Sequence, residues 1–126
     1  MPDIRRDFVV MQPDKTAAIE AADEGLYERL DANYQDFHGH ELIACHDFSE
    51  DWPTWEIHPH GDEFVMLMSG EVTLTLLVDD QPQSTTLSRE GEYVIVPRNT
   101  WHTAATSVPT RMLFVTPGEG TLNRAR

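Results

Sequence analysis

The residues with the clearest capacity for chemistry lie in Trp55-Glu-Ile-His-Pro-His-Gly-Asp-Glu63, where Glu56, His58, His60 and Glu63 fall within eight residues. Along an extended strand, residues 56, 58 and 60 share one face. A reversal at Gly61 then returns Glu63 on the next strand. Imidazole nitrogen and carboxylate oxygen gathered in one space suit a divalent cation such as Mn, Fe, Zn or Ni, with Co also compatible. A further histidine, His102, follows Gly91-Glu-Tyr-Val-Ile-Val-Pro-Arg-Asn-Thr-Trp. That segment reads as a strand, a proline-led turn and the start of another strand.

The elements that must position these side chains are mostly strands. Short runs rich in Val, Leu, Thr and aromatics cover 41–48, 55–58, 63–69, 71–78, 84–87, 93–96, 102–106 and 111–116. Turn residues separate them at Ser69-Gly70, Asp79-Asp80-Gln81-Pro82 and Arg89-Glu90-Gly91. So many short strands in 126 residues predict an all-β domain, a sandwich or barrel whose closure removes exposed edges. Thr73-Leu-Thr-Leu alternates as a strand with one buried face should. The first forty residues differ. Phe8-Val-Val-Met predicts a strand. Asp14 and Thr16 are candidate N-caps for a helix over Ala17–Ala22, a run of good helix formers. Gly25 interrupts it, and Leu26 and Leu30 lie one turn apart in a second short helix.

Two motifs carry a resemblance to the cupin family. The cupin pattern G-x5-P-x-G-x2-H-x3-N fits from Gly91 through Pro97 to His102, with Asn99 in place of its glycine and Thr106 in place of its last Asn. Asn tolerates positive φ, so the first change is mild. The end of the other cupin motif, E-x6-G, fits Glu63 to Gly70. Upstream of Glu63 two registers are open. His58 and His60 form the H-x-H pair with a gap one residue short, or Glu56 and His58 occupy its two positions with a permitted gap. The second is preferred, since Trp55–Glu63 also resembles a W-E-x-H-P-x-G-D-E subset of small cupins. The resemblance covers about residues 40–117. It implies a double-stranded β-helix (jelly-roll) barrel over 40–126, with a strand and short helices of 1–39 packed on it. It also implies a divalent ion on Glu56, His58, Glu63 and His102, with His60 at the mouth or as a substitute ligand. Two carboxylates would leave that ion formally neutral, which weakens its Lewis acidity relative to a three-histidine site.

Other residues carry less. His38 and His40 flank Gly39 and are expected on the surface; His46 faces barrel or solvent. Trp55 and Trp101 adjoin candidate ligands and should point outward. Met66 and Met68 are expected to fill core or line a pocket. Arg98 is a turn arginine that could hold an anion. The single Cys45 lies in an apolar run and forms no intrachain disulfide. No nucleophile elbow or phosphate loop is present.

Composition bounds the partners. Residues 1–63 hold 16 Asp/Glu against 4 Lys/Arg, and the whole chain carries −13. Such a surface disfavours nucleic acid and anionic membrane. No membrane span or signal peptide is apparent, which with the cysteine usage fits a cytoplasmic setting. The expected function is a small metal-binding cupin that takes a small organic molecule, as isomerase, lyase or oxygenase; the alternative is a metal-free binding or sensor module. A homodimer is expected, with Phe8–Met11 as a strand that could be exchanged.

Overall fold

The computed structural model describes residues 1–126. Eleven strands form two antiparallel sheets. They are β1 (Asp7–Met11), β2 (Ala17–Ala21), β3 (Glu41–Phe48), β4 (Thr54–Ile57), β5 (Glu63–Ser69), β6 (Val72–Val78), β7 (Gln81–Leu87), β8 (Tyr93–Val96), β9 (His102–Ala105), β10 (Thr110–Thr116) and β11 (Leu122–Ala125). One sheet has the order β2-β1-β3-β10-β5-β8 and the other β11-β4-β9-β6-β7. The two face each other as a jelly roll.

Alternation decides which side chains meet between the sheets. In β5, Glu63, Val65 and Leu67 are buried while Phe64 and Met66 are half-buried on the other face. In β10, Met112 and Phe114 are buried in the same way. These residues join Val72, Leu74, Leu87, Val96 and Ala104 in a core that fills one end of the barrel. The other end stays open and holds the polar residues. Met66 and Met68 thus lie on the outer face of the sheet; Met68 still packs against a hydrophobic core, as expected, whereas Met66 does not. Their parity opposes that of Val65 and Leu67, and Met68 packs on Cys45, with sulfurs 3.8 Å apart.

The N-terminal segment departs from its expected form. Ala17–Ala21 is a strand paired along its length with β1, not a helix. Alanine's helix preference is worth a few tenths of a kcal/mol per residue at most over ordinary residues. A five-residue ladder with Asp7–Met11 outweighs that. Only one α-helix forms, α1 (Leu26–Asn33), with Leu26 and Leu30 buried. Phe8 and Val10 of β1 meet them in a second core with Phe37, Leu42 and Ala44. β1 pairs with β3 of its own chain as well as with β2.

After α1 the backbone enters an unusual turn. Gln35, Asp36 and Phe37 have φ of 56°, 53° and 61°, three successive left-handed residues with no glycine. Such residues cost roughly 1–2 kcal/mol each. The turn drives Phe37 into the barrel mouth, where it is buried. His40 is buried as well, rather than on the surface as expected. Its ring packs on Tyr34 and Phe37, and its Nδ1–H donates to the His38 carbonyl at 2.8 Å.

Candidate metal centre

Register places the candidate ligands side by side. Glu56 on β4 pairs directly with His102 on β9. His58 follows the end of β4. Glu63 opens β5 and faces inward by the alternation that buries Val65. The turn between β8 and β9 fixes His102. Asn99 there has φ of 61°, so the residue in place of glycine adopts the conformation the turn demands. Its N–H donates to the His58 carbonyl at 3.0 Å. The Arg98 N–H donates to Asp62 Oδ1 at 2.7 Å. These two bonds tie the segment before Glu63 to the segment before His102.

Four side chains converge inside the open end. Glu56, His58 and His102 each offer a donor atom within 4.8 Å of the others. Glu63 lies between the imidazoles, with Oε2 3.3 Å from His58 Nε2 and Oε1 3.2 Å from His102 Nε2. Glu56 Oε2 is 3.7 Å from His58 Nε2. His58, Glu63 and His102 are nearly sealed from solvent, with side-chain exposures of 5%, 3% and 1%.

The outer contacts of each imidazole set its tautomer. The Thr121 hydroxyl donates its only hydrogen to the Gly118 carbonyl at 2.9 Å. It therefore accepts from His58 Nδ1, 2.8 Å away. The His102 Nδ1 faces the Thr100 carbonyl at 3.1 Å, which can only accept. Both rings thus hold hydrogen on Nδ1 and turn the Nε2 lone pair inward. Thr116 donates to Glu63 Oε2 at 2.5 Å. What remains is a set of acceptors facing one another. His58 Nε2, His102 Nε2 and Glu63 Oε1 are buried without a hydrogen-bond partner. Although close, they are not aligned for N–H···O bonds, so charge alone can hold them together.

Titration reflects that arrangement. Burial works against the Glu63 carboxylate, but the two imidazoles outweigh it and hold its pKa at about 2. Burial also opposes charge on His102, and Glu63 outweighs that too, raising its pKa. Burial pushes Glu56 up. A positive charge among these four groups is what the site lacks as neutral imidazoles. A proton on His102 supplies it partially, and a divalent cation supplies it fully. The donor set, two nitrogens and two carboxylates on rigid strands, fits such an ion.

His60 stands apart. β4 ends at Ile57, and Pro59-His60 form a turn, so strand parity does not carry past His58. The His60 side chain is 57% exposed and sits 3.7 Å from Glu119. Arg98 also lies off the site, with Nη2 3.4 Å from the His60 carbonyl. Trp101 points outward, its ring 4.5 Å from the Arg124 guanidinium, and Trp55 pairs with Arg124 on β11.

The centre opens into a cavity of about 820 Å³. Three contributors escaped sequence reasoning. Trp52 lines the cavity, its ring 6.4 Å from that of His102. Being outside any strand, it gave no alternation to read. Thr121 supports His58 from a loop, where a single threonine carries no signal. Phe37 reaches the cavity through the left-handed turn, which no glycine marks. His46 faces the cavity from β3 between Phe8 and Phe114, whose desolvation lowers its pKa.

Comparison with known proteins agrees with this architecture. No curated protein matches the chain. Among solved structures, an oxalate oxidase is similar with a TM-score of 0.55 and 24% identity, over 65% of this chain and 45% of that one. A hydroquinone 1,2-dioxygenase from Sphingomonas sp. TTNP3 has a TM-score of 0.51 and 22% identity, over 60% and 58%. A cupin-2 domain containing protein from Shewanella frigidimarina has 0.53 and 18%, over 61% and 70%. The chain spans less than half the length of the oxalate oxidase, and at these identities the likeness is one of fold. The family model described as "Cupin domain" matches residues 49–116. That stretch runs from just before Trp52 to the threonine that bonds Glu63, and the chain belongs to the cupin family.

Proposed function

We propose that this protein is a metal-dependent cupin that holds a divalent cation on Glu56, His58, Glu63 and His102 and binds a small organic molecule in the adjoining cavity. One observation carries the reading: buried polar atoms of His58, Glu63 and His102 face one another with no hydrogen bond between them. Burying unpaired acceptors costs roughly 1–3 kcal/mol each, more for a charged one, and a cation removes that cost. When bound, such an ion coordinates and polarises a substrate oxygen. The chain's residues then do the remainder. Thr121 and the Thr100 carbonyl orient the imidazoles, Thr116 steadies Glu63, and the aromatic wall excludes water. Glu56, the least buried of the four, borders the cavity where a ligand would enter. The neighbours by fold, an oxalate oxidase and a hydroquinone 1,2-dioxygenase, share the barrel, and a shared barrel does not name the reaction. The buried thiol of Cys45 is consistent with a reducing, cytoplasmic setting.

Metal analysis after incubation with Mn, Fe, Ni or Zn tests the reading. We expect near one equivalent per chain, abolished by His102→Ala and by Glu63→Ala and unchanged by His60→Ala. Loss of the ion in His60→Ala would return the ligand set to the His58–His60 register. Less than about a tenth of an equivalent with every metal, for a site of this donor number, would leave a binding module without an ion.

A further inference from the structure

We infer that the cavity selects a neutral aromatic molecule carrying a hydroxyl or carbonyl oxygen, and discriminates against carboxylates and other anions. The inference rests on the proposed metal centre for the oxygen contact, and on the cavity wall for everything else.

The first observation is the charge of the wall. Neither lysine nor arginine lines the cavity, whereas Asp31, Asp47, Glu56 and Glu63 do. Asp47 is already paired to Arg111 by two bonds of 2.7 and 2.9 Å, and that arginine does not line the cavity. Arg98 is turned to the His60 carbonyl. His46, the one imidazole on the wall that is not a candidate ligand, is held toward its neutral form by Phe8 and Phe114. A divalent ion on Glu56 and Glu63 with two neutral imidazoles is formally uncharged. A carboxylate arriving there would turn the centre net negative, with no lysine or arginine on the wall to offset the buried charge, and such charges are expensive. A neutral hydroxyl or carbonyl oxygen meets the ion without that cost. A cationic ligand would find Glu56 and Glu63 already neutralised by the ion, Asp47 paired to Arg111, and only the exposed Asp31 at the rim, where solvent screens it.

The second observation is the shape and material of the wall. Rings follow one another from the centre outward. Trp52 is 6.4 Å from His102, Phe114 is 6.0 Å from Trp52, and His46 is 5.6 Å from Phe114. Phe48 stands 5.9 Å from Trp52, and Phe37 closes the mouth side. A flat apolar ligand gains burial against these faces at roughly 25 cal/mol per Å². A volume near 820 Å³ lies in the range of sites for small organic ligands. A ligand the size of oxalate would leave most of it unfilled.

Benzamide, benzoate and benzamidine test this directly, being planar isosteres that are neutral, anionic and cationic. Acetamide supplies the carbonyl without the ring. Calorimetric titration of Co(II)-loaded protein should give benzamide the tightest binding, at least about tenfold over benzoate and over acetamide, a factor set by one missing charge or ring contact. Trp52→Ala should weaken benzamide about tenfold. Asn123→Arg, which adds a cation to the cavity rim on β11, should shift the benzamide-to-benzoate affinity ratio toward benzoate, and an unmoved ratio would count against the charge argument. Benzoate or benzamidine matching benzamide, acetamide matching it, or no heat with benzamide at millimolar concentration would overturn the inference. Co(II) loading is read separately by its absorption bands. If no Co(II) binds but benzamide still outranks benzoate in the metal-free protein, the metal reading fails and this one stands.

Discussion

At the scale of residues, Thr121 deserves as much weight as the four side chains it serves. Its hydroxyl fixes the His58 tautomer by spending its hydrogen on Gly118. Thr121→Val keeps the shape and removes that bond. We expect a ten- to hundredfold loss of metal affinity, typical of outer-contact substitutions, together with a modestly lower thermal midpoint of the metal-free protein from the unpaired His58 N–H. Competition against a chelating dye measures it. Protonation gives a second prediction. Glu63, held at about 2 against an ordinary 4.5, contributes stability that is present above 4.5 and lost as pH falls through about 2. His102, raised above its ordinary 6.5, contributes stability that is present below 6.5 and lost as pH rises through its folded value. The metal-free pair is therefore strongest between those two ordinary values. An ion displaces the His102 proton, so the midpoint gain on adding Zn should grow from about pH 6 to about pH 8. Calorimetric scans with and without Zn across that range decide it; a gain that shrinks with pH contradicts the assignment of His102.

At the scale of elements, the β8–β9 turn is held by contacts from the other motif. Asp62 accepts from the Arg98 N–H, and Asn99 donates to the His58 carbonyl. Asp62→Ala removes a charge-assisted bond to backbone, worth about 1.5 kcal/mol in total stability, and frees the turn that aims His102. A lower denaturation midpoint together with several-fold weaker metal binding is the expected result, read by urea titration and by dye competition. Glu63, Gly70, Pro97 and His102 made this turn and the barrel legible from sequence. Asn99 was legible too, because its side chain explains how a glycine position can be filled. The Ala17–Ala21 strand was not, since alanine favours helix locally and only pairing with Phe8–Met11 makes it a strand. β11 was not either. Leu122-Asn-Arg-Ala is exposed throughout and shows no alternation. His60 lies at the exposed mouth, as the preferred register implied, because β4 ends at Ile57 and strand parity does not reach it.

At the scale of the molecule, the six-stranded sheet presents an apolar outer surface. Ile19, Val9, Ile43, Val115, Phe64 and Ile95 are register neighbours in one row across all six strands. Cys45, Leu113, Met66 and Tyr93 form a second row beside it. The first row spans roughly 24 Å at the usual strand spacing. Tyr93 and Ile95 are exposed in the single chain. A homodimer that covers this face is the expected assembly, and it needs no exchange of β1, which pairs within its own chain. Light scattering should give twice the chain mass, and Phe64→Glu should halve it while leaving metal content intact. A monomeric mass for the unaltered protein removes the expectation. No helix is long and apolar enough to cross a membrane.

The left-handed turn at Gln35–Phe37 belongs to a segment that supplies none of the candidate ion's ligands. Glu56, His58, Glu63 and His102 all come from the barrel strands and their turns, whereas Tyr27, Leu30 and Phe37 reach the cavity from the chain before residue 40. Reactivity and admission are therefore encoded in separate stretches of sequence. Exposed positions of this stretch that border the cavity, Tyr27 and Asp31, can be changed to admit a bulkier or longer guest, with Leu26, Leu30 and Phe37 kept for the second core and every donor to the ion left in place. For an engineer, that makes the exposed face of the helix an interchangeable faceplate on a fixed reaction chamber.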